Sequence, residues 1–227
     1  MTETGSKIGR EINLMDRYPR SKRPIDERAM LITEEHRKIA RRFEKDFFDG
    51  DRLYGYGGYR YHPRFWKETV MRFRDFYGLK PDAAVLDVGC GKGFMLHDFK
   101  ELMPDMTVAG IDVSEYAIEN AMETMKPYVR VGNAKDLPYE ENSFDLVISI
   151  NTVHNLPPEE CKRSLRELAR VSRAHAFIIV DAWRNDAERD SMMKWNLTAL
   201  TYSHADDWKK LFREAGYGGD YYWFIAE

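Results

Sequence analysis

The sequence predicts an α/β protein in which a mostly parallel sheet carries helices on both faces and follows a helical cap. Three observations carry this. From about residue 82 short apolar runs alternate with segments of helical period, as βαβ units require. The first of those runs ends in a cluster of glycines, the usual entry to a ligand-binding turn. Before it, apolar residues recur at helical spacing only. The expected organisation is therefore a cap with a Tyr/Gly-rich lid over 1–80 and a sheet domain over 81–227.

In the cap, Ile39, Phe43 and Phe47 recur every four residues within Glu34 to Phe48, and Val70, Phe73, Phe76 and Tyr77 form a stripe within Arg64 to Tyr77. Each pattern predicts an amphipathic helix. Between them, 53–63 holds four tyrosines and three glycines, too poor a helix former for anything but a loop. Ala83 to Val88 reads as a buried parallel strand, followed by a helix from about Gly93 to Glu101. Thr107 to Ile111 is a second strand, and Ser114 is a good N-cap for a helix running to about Met125. Tyr128 to Val131, Phe144 to Ile150 and Ala176 to Val180 supply three more strands. Leu165, Leu168 and Ala169 make Pro157 to Val171 a helix between the last two. Beyond Trp183 only a helix, Ala205 to Ala215, and a strand, Asp220 to Ala226, stand out.

With 43% apolar and 32% charged residues the chain can bury a sizeable core and is not disordered throughout. No apolar stretch is long enough for a membrane span, and the first thirty residues are charged where a signal peptide would be apolar. The expectation is a soluble cytoplasmic protein. Cys90 and Cys161 lie 71 positions apart without a CxxC pair, which predicts neither a disulfide framework nor a metal site. The net charge of −3 divides unevenly, +6 over 1–81 and −9 over the remainder. A basic cap beside an acidic body can steer an anionic ligand to their junction, or it can be a solvated helix face. The stretch Arg17, Arg20, Lys22, Arg23 suits phosphates but lacks the density of a nucleic-acid arm, so nucleic acid is not an expected partner.

The most informative motif is Asp87-Val88-Gly89-Cys90-Gly91-Lys92-Gly93, a G-x-G-x-G at a strand-to-helix turn. Glycines there let backbone approach a ligand closely, and the following helix offers free N–H groups. Asp112 ends the second strand, 19 residues after Gly93, where a carboxylate can accept hydrogen bonds from both hydroxyls of a ribose. This order of elements points to a cofactor containing a nucleoside. The dinucleotide fingerprint would need glycine where Phe94 stands, and a phosphate-binding Walker loop would need Ser or Thr in place of Gly93.

Here the chain resembles the class I S-adenosylmethionine-dependent methyltransferases. The resemblance rests on Val85 to Gly93, on Gly110-Ile111-Asp112-Val113-Ser114, on Gly132 to Pro138 and on Asn142 to Val147, and covers about residues 80–182. It implies a Rossmann-like core and S-adenosylmethionine as the cofactor. It also implies that Asp87, Gly89, Cys90 and Gly91 hold the methionine part and that Asp112 binds ribose, with Val113, Asn133, Ala134 and Ile150 completing the cofactor site. Asn133 stands where similar proteins more often carry aspartate against the adenine amino group, and its side-chain oxygen could accept the same hydrogen bond. The family's usual final β-hairpin needs two strands, so either one lies around Leu197 to Tyr202 or the sheet is shortened.

Ser149 to Leu156 follows the fourth strand and should reach the carboxyl edge of the sheet, where open α/β sheets bind ligands. Asn151 and His154 would then face the acceptor, His154 as a general base or merely as a helix-packing residue. Tyr54, Tyr56, Tyr59 and Arg60 form a substrate lid in one reading, with arginine holding a carboxylate or phosphate, and a loop packed on the core in the other. The leading expectation is methyl transfer to O or N of a small anionic metabolite without a metal. An RNA or protein methyltransferase and a catalytically silent cofactor-binding scaffold are the alternatives.

Overall fold

In the computed structural model, which describes residues 8–19, 23–57 and 60–227, the expected alternation becomes one parallel sheet. Arg20 and Lys22 of the basic stretch and Tyr59 of the lid lie outside the described residues. β1 (Ala84–Val88) sits between β2 (Thr107–Asp112) and β4 (Phe144–Ile150), with β3 (Val129–Val131) beyond β2 and β5 (Ser172–Trp183) beyond β4. Successive side chains leave a strand on opposite faces, and β1 divides accordingly. Leu86 and Val88 join the core under Leu165, Leu168 and Phe212, whereas Val85 joins the one under Val70, Phe73 and Phe99.

The N-terminal part contains α1 (Ile25–Leu31), α2 (Glu34–Ala40), α3 (Lys45–Asp49) and α4 (Pro63–Tyr77). The single helix expected over Glu34 to Phe48 is two, because Phe43 takes a left-handed φ of 52° and turns the chain between them. On the sheet lie α5 (Phe94–Leu102), α6 (Glu115–Glu119), α7 (Pro158–Val171), α8 (Asp186–Trp195) and α9 (Ala205–Ala215). Ser114 does cap α6 through the Ala117 amide, but the helix stops at Glu119 and not near Met125. The Met122 N–H donates to the Lys92 carbonyl at 3.1 Å, which ties this segment to the glycine turn instead.

Beyond β5 the sheet gains two short strands. β6 (Ser203–His204) pairs with Ala182 and Trp183, and β7 (Asp220–Phe224) pairs with Phe177 to Asp181, both parallel to β5. The additional strand is thus only two residues long and lies just after Leu197 to Tyr202, the segment that offered one. No hairpin closes the sheet among the described residues. The outer edge of β7 is met by the N-terminal segment, where Tyr221 donates to the Arg10 carbonyl and Ile12 donates to that of Tyr221. The Arg10 guanidinium then grips the buried Asp220 at 2.8 Å. No described helix is long and apolar enough to cross a membrane.

Candidate functional site

At the carboxyl end of β1 the chain turns at Gly89, whose φ of 88° disfavours any side chain and whose absent Cβ leaves room for that of Thr152. Gly91 has φ 52°, and a Cβ there would lie 3.5 Å from the ring of Phe48. The turn is pinned to β2, since Gly89 and Cys90 both donate to the Ile111 carbonyl and Gly91 donates to Asp112 Oδ2 at 2.8 Å. Asp112 Oδ1 accepts from the Ser114 amide at 2.9 Å. Each oxygen of Asp112 keeps a lone pair after these bonds, and the residue borders a cavity of about 1100 Å³.

Asp87 borders the same cavity and differs in kind. It is buried, and its carboxylate accepts no hydrogen bond from any described residue. Burial, followed by the nearby charge of Asp112, pushes its pKa up to about 8. A buried carboxyl without a partner demands an explanation, and a ligand bringing a cation is one. Cys90 is likewise driven up, by burial and then by the two aspartates, and is inert as a nucleophile. Gly89, Gly91, Val113, Asn133, Ala134, Ile150 and Asn151 all line this cavity. Val113 is 53% exposed, an apolar face open to a planar ligand. Asn133 already accepts from the Lys135 amide at 3.1 Å, which leaves its oxygen one lone pair. Asn151 follows β4 with φ 53°, a conformation that Asn tolerates better than most residues.

On the opposite wall the structure corrects three expectations. His154 lines the cavity, but its Nδ1 accepts the Asp181 N–H at 2.8 Å, which leaves the ring proton on Nε2. Burial lowers its pKa to about 3. A ring with its lone pair occupied and so weak an affinity for protons is a donor to the cavity, not a general base. Tyr54 is away from the cavity, its ring 5.3 Å from that of His36. Arg60 does not line this cavity but an adjoining recess of about 420 Å³, beside Tyr61 and His62. Of the lid tyrosines, Tyr56 does reach the cavity, its hydroxyl accepting from the Leu197 amide and its ring stacked on Trp195 at 5.6 Å.

Several lining residues carry little signal in the sequence. Arg41, Arg42 and Arg52 face the cavity without an ion-pair partner among the described residues, and the Arg41 Nε is buried without a hydrogen bond. Only the basic excess of the N-terminal part hints at them. Asp181, at the end of β5, also borders the cavity. A clasp closes α3 onto the glycine turn: Lys92 Nζ donates to both oxygens of Asp49 at 2.8 and 2.7 Å, and the Tyr116 hydroxyl donates to Asp49 Oδ2 at 2.7 Å. Partial burial alone would raise the Asp49 carboxyl, but these hydrogen bonds and the charges of Lys92 and Arg60 outweigh it and hold the group below its usual range.

Residues 85–175 match the family model described as a methyltransferase domain. The tRNA (carboxymethyluridine(34)-5-O)-methyltransferase of Arabidopsis thaliana is 32% identical over 132 residues, 57% of this chain and 31% of that protein. The demethylmenaquinone methyltransferase of Symbiobacterium thermophilum is 32% identical over 129 residues, 52% of this chain and 49% of that one. The chain therefore spans about a third to a half of the length of these two relatives. Among solved structures, the YcgJ protein of Bacillus subtilis superposes with a TM-score of 0.52 at 20% identity, over 63% of this chain and 65% of that one, a likeness of fold alone.

Proposed function

We propose that this chain, whose residues 85–175 match a methyltransferase domain, is an S-adenosylmethionine-dependent methyltransferase that transfers a methyl group to an oxygen or nitrogen of a small acceptor bearing a carboxylate or phosphate. The observation that carries the reading is one cavity lined by two chemically distinct sets of residues. In the first set, Asp112 has lone pairs left for ribose hydroxyls, and Asp87, which accepts from no described residue, suits the ammonium of a methionine moiety. Gly89 and Gly91 bring backbone close to that ligand, and Val113 suits the face of its base. In the second, Arg41, Arg42 and Arg52 supply positive charge that no described acid pairs with, which favours an anionic acceptor over a neutral one. Bound S-adenosylmethionine would supply a sulfonium methyl that a lone pair can take directly. The chain's part is then to position the acceptor, to orient it by its anion and to exclude water, for which the clasped N-terminal helices are suited.

A macromolecular acceptor is the second reading, favoured by the relative named for a tRNA and by the +6 charge of residues 1–81. Calorimetry and a transfer assay test both. Asp112→Ala should weaken binding of S-adenosylhomocysteine by about 1.5–3 kcal/mol through lost charge-assisted hydrogen bonds. Radiolabelled S-adenosylmethionine offered with carboxylates, phosphoesters, neutral alcohols and tRNA should label only the anionic small molecules. Labelling of tRNA alone would select the second reading, and unchanged affinity of the variant would remove Asp112 from the site.

A further inference from the structure

We infer that Asp181 is the carboxylate that takes the proton from the acceptor's nucleophilic O–H or N–H group during methyl transfer, an inference that rests on the methyltransferase reading above. Its backbone is clamped on both sides. The N–H donates to His154 Nδ1 at 2.8 Å, and the carbonyl accepts from the Trp208 indole at 2.9 Å. His154 is anchored in turn, its carbonyl accepting the amides of Leu200 and Thr201. The Asp181 side chain, by contrast, is left open: it is 4% exposed, borders the cavity that Asp87 and Asp112 share, and accepts no hydrogen bond from a described residue.

His154 cannot satisfy that carboxylate. Its Nδ1 lies 3.6 Å from Asp181 Oδ1, beyond hydrogen-bond range, and its lone pair is already given to the Asp181 amide. Nor do the other groups around it. Arg23 attracts it from the N-terminal segment by charge, the Tyr56 hydroxyl accepts from the Leu197 amide and gives it no hydrogen bond, Arg184 is engaged by Glu188, and Glu227 is itself an acid. A carboxylate kept buried and rigid near the carboxyl edge of the sheet, in a residue that borders the cavity and with both oxygens uncommitted, has the placement of a proton acceptor. Burial, opposed only by Arg23, raises its pKa to about 7, which suits exchange of a proton near neutral pH. As the acceptor atom bonds the methyl carbon and sulfur keeps the electron pair of the bond it loses, the proton shed by the acceptor passes to Asp181 and from there to water. His154 is a positioning residue in this scheme.

The test needs no acceptor. Sinefungin carries an ammonium-bearing carbon where the cofactor has its methylated sulfonium, and S-adenosylhomocysteine carries neither charge there. Both share the parts facing Asp87 and Asp112, so the ratio of their affinities isolates groups near the transferred methyl. In the wild-type protein calorimetry should find that ratio moving toward sinefungin by about tenfold between pH 6 and pH 8, as a nearby carboxylate ionises. Asp181→Asn should abolish the shift and leave S-adenosylhomocysteine affinity within about twofold. A wild-type ratio that does not change with pH overturns the inference even if the variant fails to fold, as does a variant that keeps the shift. Failure of either ligand to bind the wild-type protein would instead overturn the methyltransferase reading.

Discussion

Asp112 and Asp181 lie at the ends of two strands of one sheet and face one cavity, yet each oxygen of the first rests on a backbone amide and neither oxygen of the second accepts from any described residue. The contrast extends to the walls around them. The wall of β1 and β2 closes on itself locally, with Gly91 and Asp112 only 21 positions apart. The wall of β5 and β7 is held by a segment from the far end of the chain, with Arg10 and Asp220 separated by 210 positions and Ile12 donating to the Tyr221 carbonyl. A wall of the first kind is a self-contained strand-turn-helix unit that can serve any reaction using the same cofactor. One of the second kind is assembled from appended pieces, and there the chemistry of an acceptor can vary without disturbing the first.

The largest expected effect falls on the local wall. Gly89→Val forces a branched residue into a left-handed backbone and drives its Cβ into the Thr152 side chain, where the pinned turn cannot yield. Urea denaturation should register a loss of about 3 kcal/mol or more, with S-adenosylhomocysteine binding lost as well. A variant of unchanged stability would break the claim that this wall is held by its own backbone.

An intermediate effect is expected at the distant clasp. Arg10→Ala removes the guanidinium from Asp220, which keeps the Tyr77 hydroxyl and the residue 10 amide as donors. The loss should be about 1–2 kcal/mol in the same assay, while S-adenosylhomocysteine affinity stays within about twofold. If affinity fell in proportion to stability, the two walls would not be independent.

The same division decides what is legible in the sequence. Gly89, Gly91 and Asp112 announce themselves because the chemistry of a strand-turn-helix unit is written in adjacent residues, and all three line the cavity. The order of elements brings His154 to the same cavity, but its task is not legible, because the Asp181 amide that occupies its lone pair is 27 positions away on another strand. Arg60 stands out for its aromatic neighbours in sequence, whereas Arg41, Arg42 and Arg52 reach the cavity where Phe43 breaks the expected helix. A final hairpin is a pattern of consecutive residues, and the edge is met instead by residues 10–12, which no local pattern connects to Tyr221.

The smallest expected effect tests by pH the two acids that no described residue pairs with. Burial raises Asp87 to about 8 and Asp181 to about 7, so the folded protein holds protons there that the unfolded chain, with carboxyls near 3.9, has released. Where the native state binds more protons, stability falls as pH rises. His154 works in the other direction: its folded pKa is lowered to about 3, so the unfolded chain takes up the extra proton below about 6.5 and stability there rises with pH. The two trends oppose each other below about pH 6.5, and only the aspartates act between there and about pH 8. The urea midpoint of the ligand-free protein should therefore decline across that upper window, and Asp181→Asn should make the decline shallower by removing one of its sources. A midpoint that is flat or rising there would mean that Asp87 and Asp181 are compensated in solution and do not hold the protons that burial assigns them.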